Sequence, residues 1–241
     1  MGAVRAIAEP SSLRVGGLTA LSTTDYPGHL AAVVFCQGCP WRCGYCHNPH
    51  LLPAHGATRI AWSDVVAFLG RRVGLLDAVV FSGGEPLAQR SLAAAARAVK
   101  RMGFRVALHT GGAYPERLAT VLPLVDWVGF DVKTSFTDYA RITATAGSGE
   151  KAFASAGILL ASGVAHEFRT TVHPKRHARD ALAALARRLA SLGVRHYALQ
   201  EFRDAGCANA EWRSDGAPSF LNDAWCATIA PAFASFAVRR A

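Results

Sequence analysis

The sequence predicts an α/β fold built on a parallel sheet, and three observations carry that prediction. Short apolar runs alternate with segments of helical spacing along the chain. Polar and charged residues gather directly after each run. The first run leads into four cysteines within eleven residues, Cys36-Gln37-Gly38-Cys39-Pro40-Trp41-Arg42-Cys43-Gly44-Tyr45-Cys46.

Taken in order, the runs are Ala32–Phe35, Ala78–Phe81, Arg105–His109, Trp127–Val132, Glu167–Val172 and His196–Phe202. Between them, Leu92, Ala95, Val99 and Met102 share one helical face, as do Leu182, Leu185, Leu189 and Leu192. Ser63 can cap a helix beginning at Asp64, and Pro115 suits a first helical turn. Gly103 and Gly193 fall just past helix ends, where a left-handed residue is favoured. Strands alternating with helices mean right-handed βαβ crossovers and a parallel sheet. Six such units are too few to close an eightfold barrel. An open or partial barrel fits, and a flat doubly wound sheet is compatible with the same pattern. Thr143–Glu150 reads as the most loop-like interior stretch. The chain reads as a single domain over residues 1–241, with a core over about 17–202 and a C-terminal extension over 203–241.

A chain of 241 residues can bury a substantial core. Although 51% of residues are apolar, no stretch approaches the roughly 18 uninterrupted apolar residues of a membrane span. Met1–Ser12 lacks the apolar segment of a secretory signal. Gly2 invites myristoylation, but Ala6 stands where a hydroxyl residue is expected. A cytoplasmic protein is therefore expected. In a reducing compartment, four cysteines this close are better suited to metal than to disulfides. Cys207 and Cys226 read as ordinary thiols, and Cys36, one step inside a strand, as a small buried hydrophobe. The formal charge of +9 would suit an acidic partner or nucleic acid. The arginines are dispersed, however (Arg71-Arg72, Arg97, Arg101, Arg187-Arg188, Arg239-Arg240), which fits a solvated basic surface, and no nucleic-acid partner is expected.

Cys39, Cys43 and Cys46 stand as C-x3-C-x2-C. An iron–sulfur cluster normally takes four cysteine thiolates, so three leave one iron open to another ligand. The other runs lead into Ser82-Gly83-Gly84-Glu85-Pro86, His109-Thr110-Gly111-Gly112, Asp131-Val132-Lys133, Arg169-Thr170-Thr171 and Gln200-Glu201. In parallel α/β architectures the ligand site lies at the carboxyl ends of the strands, so these segments should face the cysteines across one cavity. Each also has a structural reading. Gly83-Gly84 can simply make a tight turn, although a carboxylate directly after it suggests a ligand amine. Asp131 and Lys133, two apart, leave a strand on the same face and need pairing or a ligand. Arg169 suits a carboxylate or an ion pair to Glu167 or Glu201. Tyr45 could shield the cluster, lie against a flat ring or only pack. His109 and His173 read equally as packed imidazoles or site members.

With C-x3-C-x2-C after the first strand and Gly83-Gly84-Glu85-Pro86 after the second, the chain resembles the radical S-adenosylmethionine superfamily. The strings Thr24-Asp25-Tyr26-Pro27-Gly28, Phe35-Cys36-Gln37-Gly38-Cys39-Pro40 and Tyr45-Cys46-His47-Asn48-Pro49 narrow the resemblance to activating enzymes of glycyl radical proteins, closest to anaerobic ribonucleoside-triphosphate reductase activating proteins. The likeness runs from about Gly17 to Phe202 and is densest through Asn48. It implies a partial (β/α)6 TIM-like barrel and a [4Fe–4S] cluster held by Cys39, Cys43 and Cys46. The open iron would be chelated by the amino and carboxylate groups of S-adenosylmethionine. Gly83, Gly84 and Glu85 would receive the methionyl amine, Tyr45 would lie near adenine, and Asp131 and Lys133 would surround the methionyl carboxylate and ribose, with Arg169 at the same site. Two departures from pyruvate formate-lyase-activating relatives, Tyr26 in place of a glycine and His109 in place of an acidic residue, argue against a monovalent-cation site of their kind.

The resemblance further implies the reaction. One electron from the reduced cluster splits the sulfonium into methionine and a 5′-deoxyadenosyl radical, which takes hydrogen from a glycine Cα of a partner protein. The implied partners are a glycyl radical enzyme, namely anaerobic ribonucleoside-triphosphate reductase, and a low-potential electron donor such as flavodoxin. Asp204–Ser214 would shape the cavity mouth. One alternative is a radical enzyme acting on a small molecule, such as a 7-carboxy-7-deazaguanine synthase. A more distant one is a structural zinc tetrahedron of Cys36, Cys39, Cys43 and Cys46 in a nucleic-acid-binding module. Its spacing is compressed against paired knuckles, and it leaves Gly83–Pro86 unexplained.

Overall fold

All six apolar runs are strands, and two further strands flank them. The computed structural model describes residues 12–57 and 59–240; the leading stretch read for targeting signals, with Gly2 and Ala6, lies outside the described residues. One sheet runs in chain order through β1 (Val15–Ser22), β2 (Ala31–Cys36), β3 (Ala78–Gly83), β4 (Arg105–Thr110), β5 (Trp127–Asp131), β6 (Ala165–Val172), β7 (His196–Glu201) and β8 (Ser235–Arg239). Strands β2 to β8 pair in parallel, and β1 pairs antiparallel with β2. The architecture is the expected partial barrel, widened by one strand at each edge. Neither added strand carries a long apolar run: β1 opens on Val15-Gly16-Gly17, and β8 is five residues long with only Phe236 and Val238 turned to the core.

The helices are α1 (Trp62–Gly70), α2 (Leu92–Arg101), α3 (Pro115–Val121), α4 (Ala140–Thr143), α5 (Ser148–Ser162), α6 (Arg179–Ser191) and α7 (Asp223–Ile229). Helix α1 begins two residues before the expected start. Ser63 does not cap it; Ala61 does so through its carbonyl, which accepts from Asp64 N and Val65 N. The early start buries Trp62, stacked 6.3 Å from Phe81. The loop expected over Thr143–Glu150 is only four residues long, because α4 ends at Thr143 and α5 starts at Ser148. A buried 2.7 Å bond between Thr143 Oγ1 and Ser148 Oγ ties the two helix ends together. Gly103 and Gly193 follow α2 and α6 in the left-handed region, as expected.

Alternation along the strands separates two cores. Ala32, Val34, Val79, Phe81, Val106, Leu108, Val128, Phe130, Phe168, Tyr197 and Leu199 face the helices. On the opposite, inner face, Ala31, Val33, Ala78, Val80 and Ala107 form a separate cluster with Tyr26 and Trp127. These small residues leave room for the loop between β1 and β2 to fold into the barrel, where Tyr26 stacks 5.4 Å from Trp127. Among the described residues no helix is long and apolar enough to cross a membrane.

A Cβ at Gly149, in the first turn of α5, would overlap the carbonyl oxygen of Phe136, whereas Gly157 of the same helix has open space. Gly149→Ala should cost about 1–3 kcal/mol as an overpacked site. Gly157→Ala should gain roughly 0.5–1 kcal/mol from helix propensity. Urea unfolding midpoints moving in opposite directions would bear this out; equal shifts would refute it.

Candidate active site

Strand β2 delivers the cysteine loop. Cys36, its last residue, is fully buried in the helix-facing core and does not line the cavity. The chain turns at Gly38, whose φ of +97° suits glycine. From there to Asn48 it has no helix or strand, and neighbouring segments satisfy its backbone. Gly38 N donates to Leu51 O at 2.8 Å, Cys39 N to Leu52 O at 3.1 Å, Arg42 N to Thr143 O at 2.9 Å and Gly44 N to Ile142 O at 3.1 Å. The Gln37 amide donates to the carbonyls of His50 and Pro53.

The segment expected at the cavity mouth takes another position. None of residues 203–214 lines the cavity; they form a strap against the outer side of the cysteine loop. His47 Nε2 lies 2.9 Å from Arg203 O, and Cys207 Sγ lies 3.8 Å from Gly44 O. The Trp212 indole covers Gly44 so closely that a Cβ there would overlap it. Apolar burial explains the placement: Tyr45, Ile142, Phe202 and Cys207 form a small core of their own, with Trp212 packed on it. His173, fully buried, stacks 4.5 Å from Phe202 and bonds Trp212 O, so it is a packed imidazole outside the cavity.

After β3, the Gly83-Gly84-Glu85 turn packs onto the cysteine loop. A Cβ at Gly83 would meet the Cys36 backbone, and one at Gly84 would sit 2.6 Å from Gly38 O. Gly84 N donates to Cys36 O and Glu85 N to Gly38 O. Glu85, 2% exposed, accepts from Leu87 N and Thr110 Oγ1 on Oε1 and from Gly111 N on Oε2. A carboxylate has about four lone-pair positions, so Oε2 keeps one without a donor, and Glu85 is among the residues that line the cavity. The tight-turn reading and the ligand reading are therefore compatible.

Asp131 and Lys133 do emerge on one face and pair at 3.3 Å. Arg169 does not pair with Glu167 or Glu201. Its guanidinium meets Asp131 at 2.9 Å, because the β5–β6 register sets Asp131 beside Arg169. Glu167 and Glu201 instead pair with Arg239 and Arg240. Burial alone would raise the Asp131 carboxyl, but Arg169, Lys133 and His109 outweigh it and hold it well below the usual carboxylate range. Burial opposes the Lys133 charge, yet Asp131 keeps its pKa well above the ordinary value. Burial, with Arg169 adding to it, pushes His109 down to about 4. A neutral imidazole results, 2.7 Å from Asp25 O and 3.2 Å from Arg169 Nη1.

All ten residues nominated from the sequence, Cys39, Cys43, Tyr45, Cys46, Gly83, Gly84, Glu85, Asp131, Lys133 and Arg169, line one cavity of about 190 Å³, with His109 among them. Trp41, Thr110 and Thr171 also line it and were not nominated. Thr171 could have been, since it stands two residues after Arg169 on the same strand face. Tyr45 is buried and reaches the cavity, and its hydroxyl has no hydrogen-bond partner among the described residues.

The donor set suits a soft, positively charged multi-iron centre. Three sulfur donors share the cavity wall, the chemistry that selects iron–sulfur clusters. Burial, with Glu85 adding to it, pushes the Cys39 thiol up to about 12, and burial pushes Cys43 up to about 11. Only a bound cation would draw such thiols into the ligating thiolate form. Cys36 is fully buried in the core and does not line the cavity with the other three cysteines, which separates it from the set a zinc tetrahedron would need.

The chain matches the sequence profile of the Radical SAM superfamily over residues 33–195. It is 32% identical over 208 residues to a Methanocaldococcus jannaschii protein named as a glycyl-radical enzyme activating enzyme, covering 83% of this chain and 84% of that one. The pyruvate formate-lyase-activating enzyme of Clostridium pasteurianum is 32% identical over 146 residues, 58% of this chain and 60% of the relative. Among solved structures, Streptococcus suis SuiB bound to its precursor peptide SuiA superposes with a TM-score of 0.69 at 12% identity, over 86% of this chain and 48% of SuiB. QueE from Escherichia coli gives 0.54 at 21% identity, over 83% and 92%. These two likenesses are of fold.

Asp131→Asn removes the anion that Arg169 and Lys133 share. It should cost about 1–3 kcal/mol at pH 7, below a fully buried pair because Asp131 keeps 32% of its side chain exposed to the cavity. The folded pKa is depressed, so this contribution is complete above pH of about 4, the unfolded carboxyl's value, and is lost as pH falls further. Thermal unfolding of both proteins across pH would show the gap closing in acid; no gap at pH 7 would refute it.

Proposed function

The chain belongs to the radical SAM superfamily, and on that premise we propose that it is the activating enzyme of a glycyl radical enzyme, with anaerobic ribonucleoside-triphosphate reductase as its partner. Its cofactors are a [4Fe–4S] cluster and S-adenosylmethionine, the pair this superfamily uses. The observation that carries the reading is that Cys39, Cys43 and Cys46 line one cavity together with Gly83–Glu85 and the Asp131–Lys133–Arg169 group. In this reading the three thiols hold the cluster and leave one iron for the nucleotide. When bound, the cluster and S-adenosylmethionine supply one-electron reductive chemistry that ends in hydrogen abstraction from a glycine Cα.

The residues of the chain do the positioning. The backbone of Gly83-Gly84 and the remaining Oε2 position of Glu85 receive an ammonium. Lys133 and Arg169, two cations against the one carboxylate of Asp131, leave a net positive wall for a ligand carboxylate. Asp131, held ionised, accepts from ribose hydroxyls, and Tyr45 closes the adenine side. His109 stays neutral, adding no further charge beside Arg169. Fixing a ligand from both ends supplies orientation worth about 7–11 kcal/mol at best. A low-potential carrier such as flavodoxin delivers the electron. All six cysteines are free thiols, consistent with work in the reducing cytoplasm.

Anaerobic reconstitution tests this. Wild type should be brown, contain iron, and form 5′-deoxyadenosine from S-adenosylmethionine under dithionite. Cys39→Ser, Cys43→Ser and Cys46→Ser should each lose iron and fall to background, while Cys36→Ala keeps both. Addition of the reductase should produce a glycyl radical signal in electron paramagnetic resonance. A colourless, zinc-bearing protein would overturn the cluster assignment. Turnover of a small molecule with no radical on the reductase would overturn the partner.

A further inference from the structure

A second concavity, of about 420 Å³, lies where the start of β1, the end of β2 and the start of α1 meet, and it shares no lining residue with the cavity described above. Its volume falls within the range of roughly 300–1,000 Å³ usual for small-molecule sites. Arg14, Gln37, His55, Arg59, Trp62 and Ser63 are among its walls, and no Asp or Glu of the described residues lines it. The two arginines are left without anions. Among the described residues neither Arg14 nor Arg59 forms an ion pair. The Nε of half-buried Arg14 is itself buried and has no hydrogen-bond partner among them. Other half-buried arginines are held: Arg117 donates to the carbonyls of Leu87 and Ala88, and Arg239 to Glu167. A guanidinium taken out of water without a partner is costly. The pocket is short of an acceptor.

Independently, α1 brings its first turn to the same space. Ala61, Trp62 and Ser63 line it, and the hydrogen bonds of the helix begin only at Asp64 N and Val65 N, which donate to Ala61 O. The amides of Trp62 and Ser63 thus have no intrahelical acceptor, and the helix dipole there favours an anion. Two guanidinium groups beside a helix start match a multiply charged group with several oxygens better than a lone carboxylate. The charge is gathered in one concavity rather than spread in a stripe, which suits a small molecule over a nucleic-acid backbone.

We propose that this pocket binds a phosphate-bearing small molecule, with the phosphate held by Arg14, Arg59 and the first turn of α1. The site stands apart from the cavity but touches the root of the same loop. Arg14 Nη2 would lie 3.8 Å from a Cβ at Gly38. The Gln37 amide ties down the carbonyls of His50 and Pro53, on either side of Leu51 and Leu52, which receive the Gly38 and Cys39 amides. An occupant therefore braces the start of the cysteine loop, whichever substrate the cavity serves. Pyrophosphate, which carries neither base nor sugar, is the probe, followed by isothermal titration calorimetry and thermal unfolding on the cluster-free and the reconstituted chain. Chloride at matched ionic strength is the reference. Wild type should bind pyrophosphate saturably and unfold at a higher temperature in its presence. Arg14→Gln and Arg59→Gln should each weaken binding by about tenfold or more, roughly 1.4 kcal/mol. Arg59 is exposed, so its variant reports on binding even where Arg14→Gln disturbs the loop. Ser63→Glu sets a carboxylate against the arginines at a helix start that favours acidic residues, and should abolish binding while the fold is kept. Arg97→Gln, on the solvent side of α2, and Lys133→Ala, in the cavity, should bind as wild type does. Equal weakening by Arg97→Gln would mark diffuse attraction to a basic surface and overturn the pocket. Loss of binding in Lys133→Ala would put the anion in the cavity and overturn it as well, as would no binding by wild type. Malonate held as tightly as pyrophosphate would overturn the phosphate class.

Discussion

The site depends on one close backbone approach. Gly83 and Gly84 lie against Cys36 and Gly38 so tightly that neither can carry a Cβ, and two backbone hydrogen bonds, Gly84 to Cys36 and Glu85 to Gly38, lock the contact. The first strand end is thereby fixed to the second. Glu85 extends the lock to the third through Thr110 and Gly111. A buried carboxylate with three donors costs little to hold, whereas one left unpaired would be expensive. The same residues that make the turn thus set the distance between the thiol wall and the rest of the cavity.

The far wall is organised by charge. Asp131, Lys133 and Arg169 come from two adjacent strand ends, and none would be tolerated inside the barrel without the others. Buried ion pairs seldom add net stability over an apolar core. Their value here is geometric: each holds the others' side chains in one orientation, as a preorganised binding wall requires. A neutral His109 fits this arrangement, because protonation would set a cation 3.2 Å from the Arg169 guanidinium.

Much of this was legible in the sequence because it follows from alternation. Apolar runs mark the parallel strands, and the residues after them must meet at one end, so the ten nominated side chains do meet. What was not legible depends on partners distant in the chain. Arg169 shares the inner face with Asp131 and Glu167, and the β5–β6 register sets it beside Asp131, while Glu201 lies on the other face of the sheet, paired in register with core-facing Val172. β1 and β8 are edge strands with three of eight and two of five residues exposed and no long apolar run to announce them. Helix α1 starts at Trp62 because Phe81 offers it a surface, which outweighs the better cap at Ser63. The strap over residues 203–214 is held by partners distant in the chain, among them Gly44 under Trp212 and His47 against the Arg203 carbonyl, that no local pattern encodes.

That strap has a consequence for the birth of the protein. The cysteine loop leaves the ribosome well ahead of its partners, since its outer face is closed by residues 156 to 163 positions later in the chain. Domains acquire structure progressively during vectorial synthesis, at roughly 5–20 residues per second. The thiols therefore stay on an unfastened loop while all the intervening residues are made, and maturation of the cysteine wall must wait until the strap has emerged.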